Sequence, residues 1–330
     1  MRKVLVTGGA GYIGSHMVKL LLERGAEVTV LDDLSTGHRD AVVGGHFVEG
    51  GLADPGRVAA LLVDRRIEAV VHFAACSLVA ESVADPLKYY STNVDGSIAL
   101  LRAMRDAGVR DIVFSSTAAV YGSPQRLPID EAHPTQPLNP YGSSKLAIEQ
   151  LLQDCSAAYG LRAASLRYFN AAGADALGAL GEQHDPETHL IPLVLQAATG
   201  RRRAISVYGR DYPTRDGTCV RDYIHVSDLC MAHLRALEWL ANGGRYDCFN
   251  LGSGEGKTVL EVIDAARRVS GRDFEVEFAA RRSGDPAALV ADATKARRVL
   301  SWEPRYSDLA TIIRDAWSFE QRRAMTGAQP

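Results

Sequence analysis

Along the first half of the chain, short apolar runs alternate with stretches of helical periodicity. Strand-like runs lie at Lys3 to Thr7, Glu27 to Leu31, Phe47-Val48, Ala69 to Phe73 and Asp111 to Phe114. Between them, Met17, Leu20, Leu21 and Leu22 recur at helical spacing, as do apolar residues from Arg57 to Leu62 and from Leu87 to Met104. Such alternation predicts an α/β fold with a doubly wound parallel sheet. Ligands of these sheets lie beyond the carboxyl ends of the strands. The loops that begin at Gly8, Asp32, Phe73 and Ser115 are therefore expected to meet in space.

From about Ala171 the alternation weakens, and Gly173 to Glu187 reads as a loop into a second, smaller α/β substrate-binding domain. There the pattern predicts helices over His189 to Gly200, from a Ser227 cap to about Leu240, over Val259 to Val269 and over Leu309 to Arg322. It predicts strands at Ala204 to Val207, Val220 to Val226, Tyr246 to Leu251 and Phe274 to Phe278. The expected division is residues 1–172 plus about 219–249 for a nucleotide-binding domain, and about 173–218 plus 250–330 for the other. The chain shows no internal repeat.

Charge changes this picture little. The 37 Lys and Arg against 40 Asp and Glu leave no basic field for nucleic acid and no polybasic membrane patch, so a small-molecule partner is expected. Arg201-Arg202-Arg203 reads as solvated charge. Five cysteines (Cys76, Cys155, Cys219, Cys230, Cys248) form no C-x-x-C pair, which suits reduced thiols in a cytoplasmic protein. The apolar run Val4-Leu5-Val6 is too short for a signal-peptide core, and no segment is long enough to span a bilayer.

The chemistry begins where the first strand runs into Gly8, Gly11 and Gly14 ahead of a helix. Glycines at this spacing permit a tight turn and close backbone approach to a pyrophosphate, and the helix N-terminus adds positive potential. The second strand ends in Asp32-Asp33, where a carboxylate suits the ribose hydroxyls of NAD, and no arginine follows at once to receive a 2′-phosphate. A Rossmann-like domain holding NAD is the expectation. His72 sits inside a strand and reads as a core residue, while Asn93 reads equally as an exposed helix residue or a cofactor contact. Thr117 follows the strand Ile112 to Phe114 and presents a hydroxyl to the nicotinamide region.

Asn139 and Pro140 are suited to start a helix, which makes Tyr141 and Lys145 neighbours at i,i+4. Holding a phenolate near neutrality means lowering a pKa of about 10 by roughly three units, or about 4 kcal/mol. One ammonium roughly 5 Å away at an effective dielectric of about 20 supplies about 3 kcal/mol. Tyr141 and Lys145 are thus a candidate base and its tuning charge, with Thr117 as hydroxyl partner.

In order and spacing, VTGGAGYIGSH (Val6 to His16), LDDLSTG (Leu31 to Gly37), HFAA (His72 to Ala75), SSTAAVYG (Ser115 to Gly122) and NPYGSSK (Asn139 to Lys145) form one series. LRYFNAAG (Leu166 to Gly173), VRDYIHVSDL (Val220 to Leu229) and RRSGDP (Arg281 to Pro286) continue it over nearly the whole chain. The series resembles the extended short-chain dehydrogenase/reductase superfamily, and within it the UDP-glucose 4-epimerase (UDP-galactose 4-epimerase) family. The resemblance implies NAD contacts at Tyr12 and Ile13, at Asp32, Asp33, Leu34, Ser35, Thr36 and Gly37, and at Leu52. It adds Phe73, Ala74, Ala75 and Ser77, then Asn93, Thr117, Tyr141, Lys145 and Phe169. Gly51 stands where the family usually has aspartate, and Ser77 where some members have lysine.

For a UDP-sugar the resemblance implies Arg221 and Arg282 at the phosphates, Val207 and Tyr208 at the uracil, and Asp285 at a ribose. Asn170, His189 and Leu190 would lie along the substrate, and Leu289 takes the place of a tyrosine that narrows the sugar pocket in some members. The implied reaction is reversible inversion at C4 of a UDP-hexose through a 4-keto sugar. UDP-N-acetylhexosamines, UDP-pentoses and UDP-uronic acids are alternative substrates. Sugar-nucleotide dehydratases resemble one another in carrying a carboxylate just after the Ser/Thr, where this chain has Ala118-Ala119. A net dehydrogenase is the other rival. The resemblance also implies a homodimer built on helices at about Leu87 to Met104 and Tyr141 to Ala158.

Overall fold

A computed structural model describes residues 2–282 and 285–325; Ser283 and Gly284, within the RRSGDP stretch, lie outside the described residues. In the first half, strands β1 (Lys3–Thr7), β2 (Glu27–Asp32), β3 (His46–Glu49), β4 (Ala69–His72), β5 (Asp111–Ser115) and β6 (Arg162–Tyr168) alternate with helices. These are α1 (Tyr12–Glu23), α2 (Pro55–Asp64), α3 (Val79–Ala84), α4 (Pro86–Tyr89), α5 (Gly96–Asp106) and α6 (Pro140–Tyr159). The six strands and a later one form a seven-stranded sheet in the order β3-β2-β1-β4-β5-β6, then Tyr246–Leu251, every neighbour parallel. The strands are apolar on both faces because helices cover both, as a parallel sheet requires.

After β7 (Asn170–Ala172) come α7 (Leu190–Ala198), β8 (Ala204–Tyr208), β9 (Val220–His225), α8 (Val226–Ala241) and β10 (Tyr246–Leu251), the seventh strand of the large sheet. β11 (Gly256–Thr258), α9 (Val259–Ser270), β12 (Glu275–Ala279), β13 (Ala288–Leu289), α10 (Thr294–Leu300) and α11 (Leu309–Met325) complete the chain. β9 pairs with β7, β11 and β13, β8 pairs with β12, and α7, α9 and α11 share one core with Ile205 and Val207.

Three local readings change. The α8 cap is His225, whose Nδ1 accepts the Ser227 N–H at 3.0 Å, because His225 is extended and helical backbone begins at Val226, one residue before the expected cap. The stretch Leu87 to Met104 is not one uniform helix: a π-helical turn, Tyr90–Asp95, separates α4 from α5 and brings Asn93 inward. β6 is a strand that apolar patterning alone does not show, since it carries Ser165 and Arg167 into the core.

Candidate active site

Backbone chemistry sets the entrance to α1. Gly8 has φ +72°, and a Cβ there would stand 2.5 Å from Ala74 N; a Cβ on Gly14 would stand 2.0 Å from Gly8 O. Only glycine permits this turn, which brings the start of α1 against the end of β4. Asp32, at the end of β2, accepts the Ala10 N–H through Oδ2 and the Leu34 N–H through Oδ1, both at 2.9 Å. Burial raises its pKa, and those two backbone donors oppose the rise. Asp33 is exposed and accepts from Ser35 N and Oγ, so the Asp32 to Gly37 turn is held by its own acidic residues.

The loop after β4 is clamped by Asn93. Its Oδ1 accepts from Cys76 N at 2.8 Å, and its Nδ2 donates to Cys76 O at 3.1 Å and Ser144 Oγ at 3.0 Å. The π-helical turn therefore ties Phe73 to Ser77 onto α6, and the exposed reading of Asn93 is excluded by its full burial. His72 is a core residue, bonded to Thr7 Oγ1 at 2.7 Å and Ser97 Oγ at 3.0 Å. Phe73 stacks on His233, with centroids 4.8 Å apart.

α6 starts as its residues require. Asn139 Oδ1 accepts the Gly142 N–H at 2.9 Å and Pro140 occupies the first turn. Tyr141 and Lys145 consequently face β5 and the Thr117 loop, both buried. Lys145 Nζ donates to the Ser115 carbonyl at 2.9 Å and lies 6.0 Å from the Tyr141 ring centre. Thr117 is extended, and its side-chain oxygen accepts the Ala119 N–H; its hydroxyl is close enough to Tyr141 to draw the phenol pKa down. Tyr89 packs edge-on to Tyr141 at 6.5 Å.

The electrostatics differ from the expectation that the Lys145 ammonium draws the tyrosine down. Burial raises the Tyr141 pKa, and only the Thr117 hydrogen bond opposes it. Burial also pushes the Lys145 ammonium down to about 7, against the pull of Cys76 and Glu149. Two buried groups cannot each pay for the other's charge unless one proton moves between them or a ligand adds charge.

A second cluster lies on β8, β9 and the segment before β13. Arg221 Nη2 donates to Asp285 Oδ1 at 3.3 Å and Arg282 Nε to Asp285 Oδ2 at 2.9 Å. The Arg282 guanidinium sits 4.9 Å from the centre of the exposed Tyr208 ring, while Val207 beneath is buried. Arg221, Arg282, Asp285 and Tyr208 thus meet. Leu289 pairs with Arg221 across β13 and β9 and packs with Phe169 against Ala118 and Val120. Leu190 opens α7, and the half-exposed His189 before it turns its ring toward Glu182. Asn170 begins β7 beside Tyr223.

Sequence reading missed the supports of this site. Glu149, one turn after Lys145, forms a buried forked pair with Arg167 (Nε to Oε1 2.9 Å, Nε to Oε2 3.1 Å) and accepts Ser116 Oγ at 2.5 Å. Its i+4 position from Lys145 was the available signal. Ser115 Oγ and Tyr168 OH meet at 2.8 Å, a contact between β5 and β6 with no sequence signature.

Comparison with known proteins places these features in a wider set. A family model, the NAD dependent epimerase/dehydratase family, matches residues 4–252. A UDP-glucose 4-epimerase of Halalkalibacterium halodurans is 51% identical over 318 residues, 96% of this chain and 95% of the relative. The crystal structure of UDP-glucose 4-epimerase from Brucella ovis in complex with NAD superposes with a TM-score of 0.95 at 50% identity, covering 97% of this chain and 99% of that one. The UDP-Glc/GlcNAc 4-epimerase of Campylobacter jejuni superposes with a TM-score of 0.86 at 43% identity, covering 98% and 100%.

Proposed function

We propose a function that proceeds from one fact: the chain belongs to the NAD dependent epimerase/dehydratase family. It is an NAD-dependent isomerase that reversibly inverts C4 of a UDP-hexose, interconverting UDP-glucose and UDP-galactose. The observation that carries this reading is the buried meeting of Thr117, Tyr141 and Lys145 at the carboxyl end of β5, followed by Ala118 with no carboxylate.

The residues present fit a dinucleotide. The turn at Gly8 and Gly14 admits no side chain, and the Asp32 to Gly37 turn lies beside it. NAD held there would supply a hydride acceptor for C4 and, once reduced, a hydride donor. Tyr141 Oη takes the proton of the C4 hydroxyl and later gives it back, and Thr117 Oγ1 holds the reacting oxygen. Lys145 carries charge into a site that otherwise disfavours a phenolate. Arg221 and Arg282 grip the diphosphate, with Tyr208 and Val207 at the uracil and Asp285 at a ribose, so that the 4-keto sugar can present its other face without leaving. Asn170, His189 and Leu190 line the path between.

Dehydration needs an acid to expel a C6 hydroxyl, and Ala118-Ala119 supplies none. Leu289 in place of a bulkier ring supports N-acetylated UDP-sugars as additional substrates. We assign residues 1–172 and about 219–249 to cofactor binding and the remainder to the sugar nucleotide. No helix among the described residues is long and apolar enough to cross a membrane. Five free cysteines support a cytoplasmic setting, and the proposed interconversion of UDP-glucose and UDP-galactose would serve galactose metabolism. We further propose a homodimer through the helices at about Leu87 to Met104 and Tyr141 to Ala158; the exposed Leu87 on α4 supports it, and exposed Val79 and Val83 on the preceding α3 extend the apolar surface. Tyr141→Phe should retain NAD through purification and lose interconversion by about 10²- to 10⁴-fold. Unchanged turnover would remove Tyr141 from the reaction.

A further inference from the structure

The loop between β7 and α7 gathers four metal-ligand side chains within eight residues: Glu182, His184, Glu187 and His189. One ligand atom from each lies within 4.8 Å of all the others. We propose that these four residues form a binding site for one Zn²⁺-class divalent ion, which fastens this loop against the phosphate-binding turn. His189 belongs both to this cluster and to the substrate path proposed above, and the metal content measured below does not depend on turnover.

Three features make this more than a chance grouping of charges. His184 Nδ1 and His189 Nδ1 both converge on Glu182 Oε1, the former at 2.9 Å, and Glu187 Oε1 is 3.9 Å from His184 Nδ1. Donors at about 2.0 to 2.2 Å from a tetrahedral zinc stand roughly 3.3 Å apart, so small side-chain rotations close the shell. The polar neighbours of His184 Nδ1 are the two carboxylates, Glu182 at 2.9 Å and Glu187 at 3.9 Å, so the nitrogen that would ligate the ion already faces both acidic ligands. The Glu187 carboxylate is already oriented, because Oε1 accepts the N–H groups of Thr188 and His189 at 2.7 and 2.8 Å.

Ligand chemistry selects the ion. Two imidazoles and two carboxylates suit zinc and its neighbours, whereas calcium and magnesium prefer all-oxygen shells. Both carboxylates are buried, with side chains 5% and 7% exposed, so an ion seated among them would meet two negative ligands shielded from solvent. The location gives the ion a structural task. The His184 ring packs edge-on against Tyr12 at 6.4 Å, and His38 Nε2 meets Gln183 O at 2.7 Å. The cluster therefore joins the loop to the first turn of α1 and to the segment after Gly37.

The test uses the full-length protein, stripped with a chelator and titrated with Zn²⁺, with metal content measured after gel filtration. One Zn²⁺ per chain is expected. His184→Ala and Glu187→Gln should each weaken binding by more than the roughly 10- to 100-fold typical of losing an outer-shell partner. Circular dichroism establishes that each variant is folded. Substituting Co²⁺ in the unaltered chain should give visible bands of a four-coordinate nitrogen and oxygen site without thiolate charge transfer, a readout that holds even if a variant fails to fold. Absence of stoichiometric zinc, equal affinity in the variants, or a thiolate band overturns the proposal.

Discussion

Tyr141 and Lys145 share one difficulty: each is buried, and burial disfavours the charged form of both. The first proton lost by the pair leaves a state of no net charge, either as neutral lysine with phenol or as ammonium with phenolate, and the apparent pKa belongs to the pair. With the ammonium at about 7, kcat/KM should rise with unit slope through about pH 7. In Lys145→Met the tyrosine must ionise alone against burial, so the rise should move toward higher pH; a profile unmoved by the substitution would contradict the coupling. The same shift has a stability sign. The unfolded chain keeps its lysine proton up to about 10.4 while the folded cofactor-free chain releases it near 7, so folding gains stability as pH rises between those values. At this scale the grouping of Thr117, Tyr141 and Lys145 was legible, because these are the side chains whose chemistry the proposed reaction needs. Their electrostatics were not, since i,i+4 spacing reveals a distance and says nothing of how deeply both side chains are buried.

Elements place those residues, and their supports are polar. α6 reaches into the sheet through Glu149, whose carboxylate holds Arg167 of β6 and Ser116 beside Thr117. Replacing Glu149 by Gln leaves a buried guanidinium without its counter-charge, so urea unfolding should show a loss of about 3 to 5 kcal/mol. A loss below about 1 kcal/mol would mean that the pair is not a support. This network also explains what patterning could not read. β1 to β5 announced themselves as apolar runs, whereas β6 hides behind Arg167 and Ser165, whose polarity is satisfied or sequestered inside. The π-helical turn is likewise silent in the sequence, because one widened turn costs no change in composition and still rotates Asn93 from surface to core.

For the whole molecule, the order β3-β2-β1-β4-β5-β6 carries the cofactor loops to one edge, and β9 with β13 carries Arg221 and Leu289 into the smaller sheet. The first half was legible because a parallel sheet needs covered strands and regular crossovers. Short β7, β11 and β13 were not, since two or three residues hold no period. Val79 and Val83 on α3, Leu87 on α4 and Tyr90 just after it lie exposed, apolar side chains suited to a second copy. Sedimentation should show a dimer, and Val83→Glu with Leu87→Glu should shift it to monomer; a monomeric unaltered chain would refute that interface. The central claim is that C4 is oxidised and reduced within one closed site. It is tested most directly by following UDP-galactose deuterated at C4 by NMR in ordinary water. Deuterium should appear at C4 of UDP-glucose without loss to solvent and without free NADH. Washout of the label, or NADH released in step with substrate consumed, would contradict it.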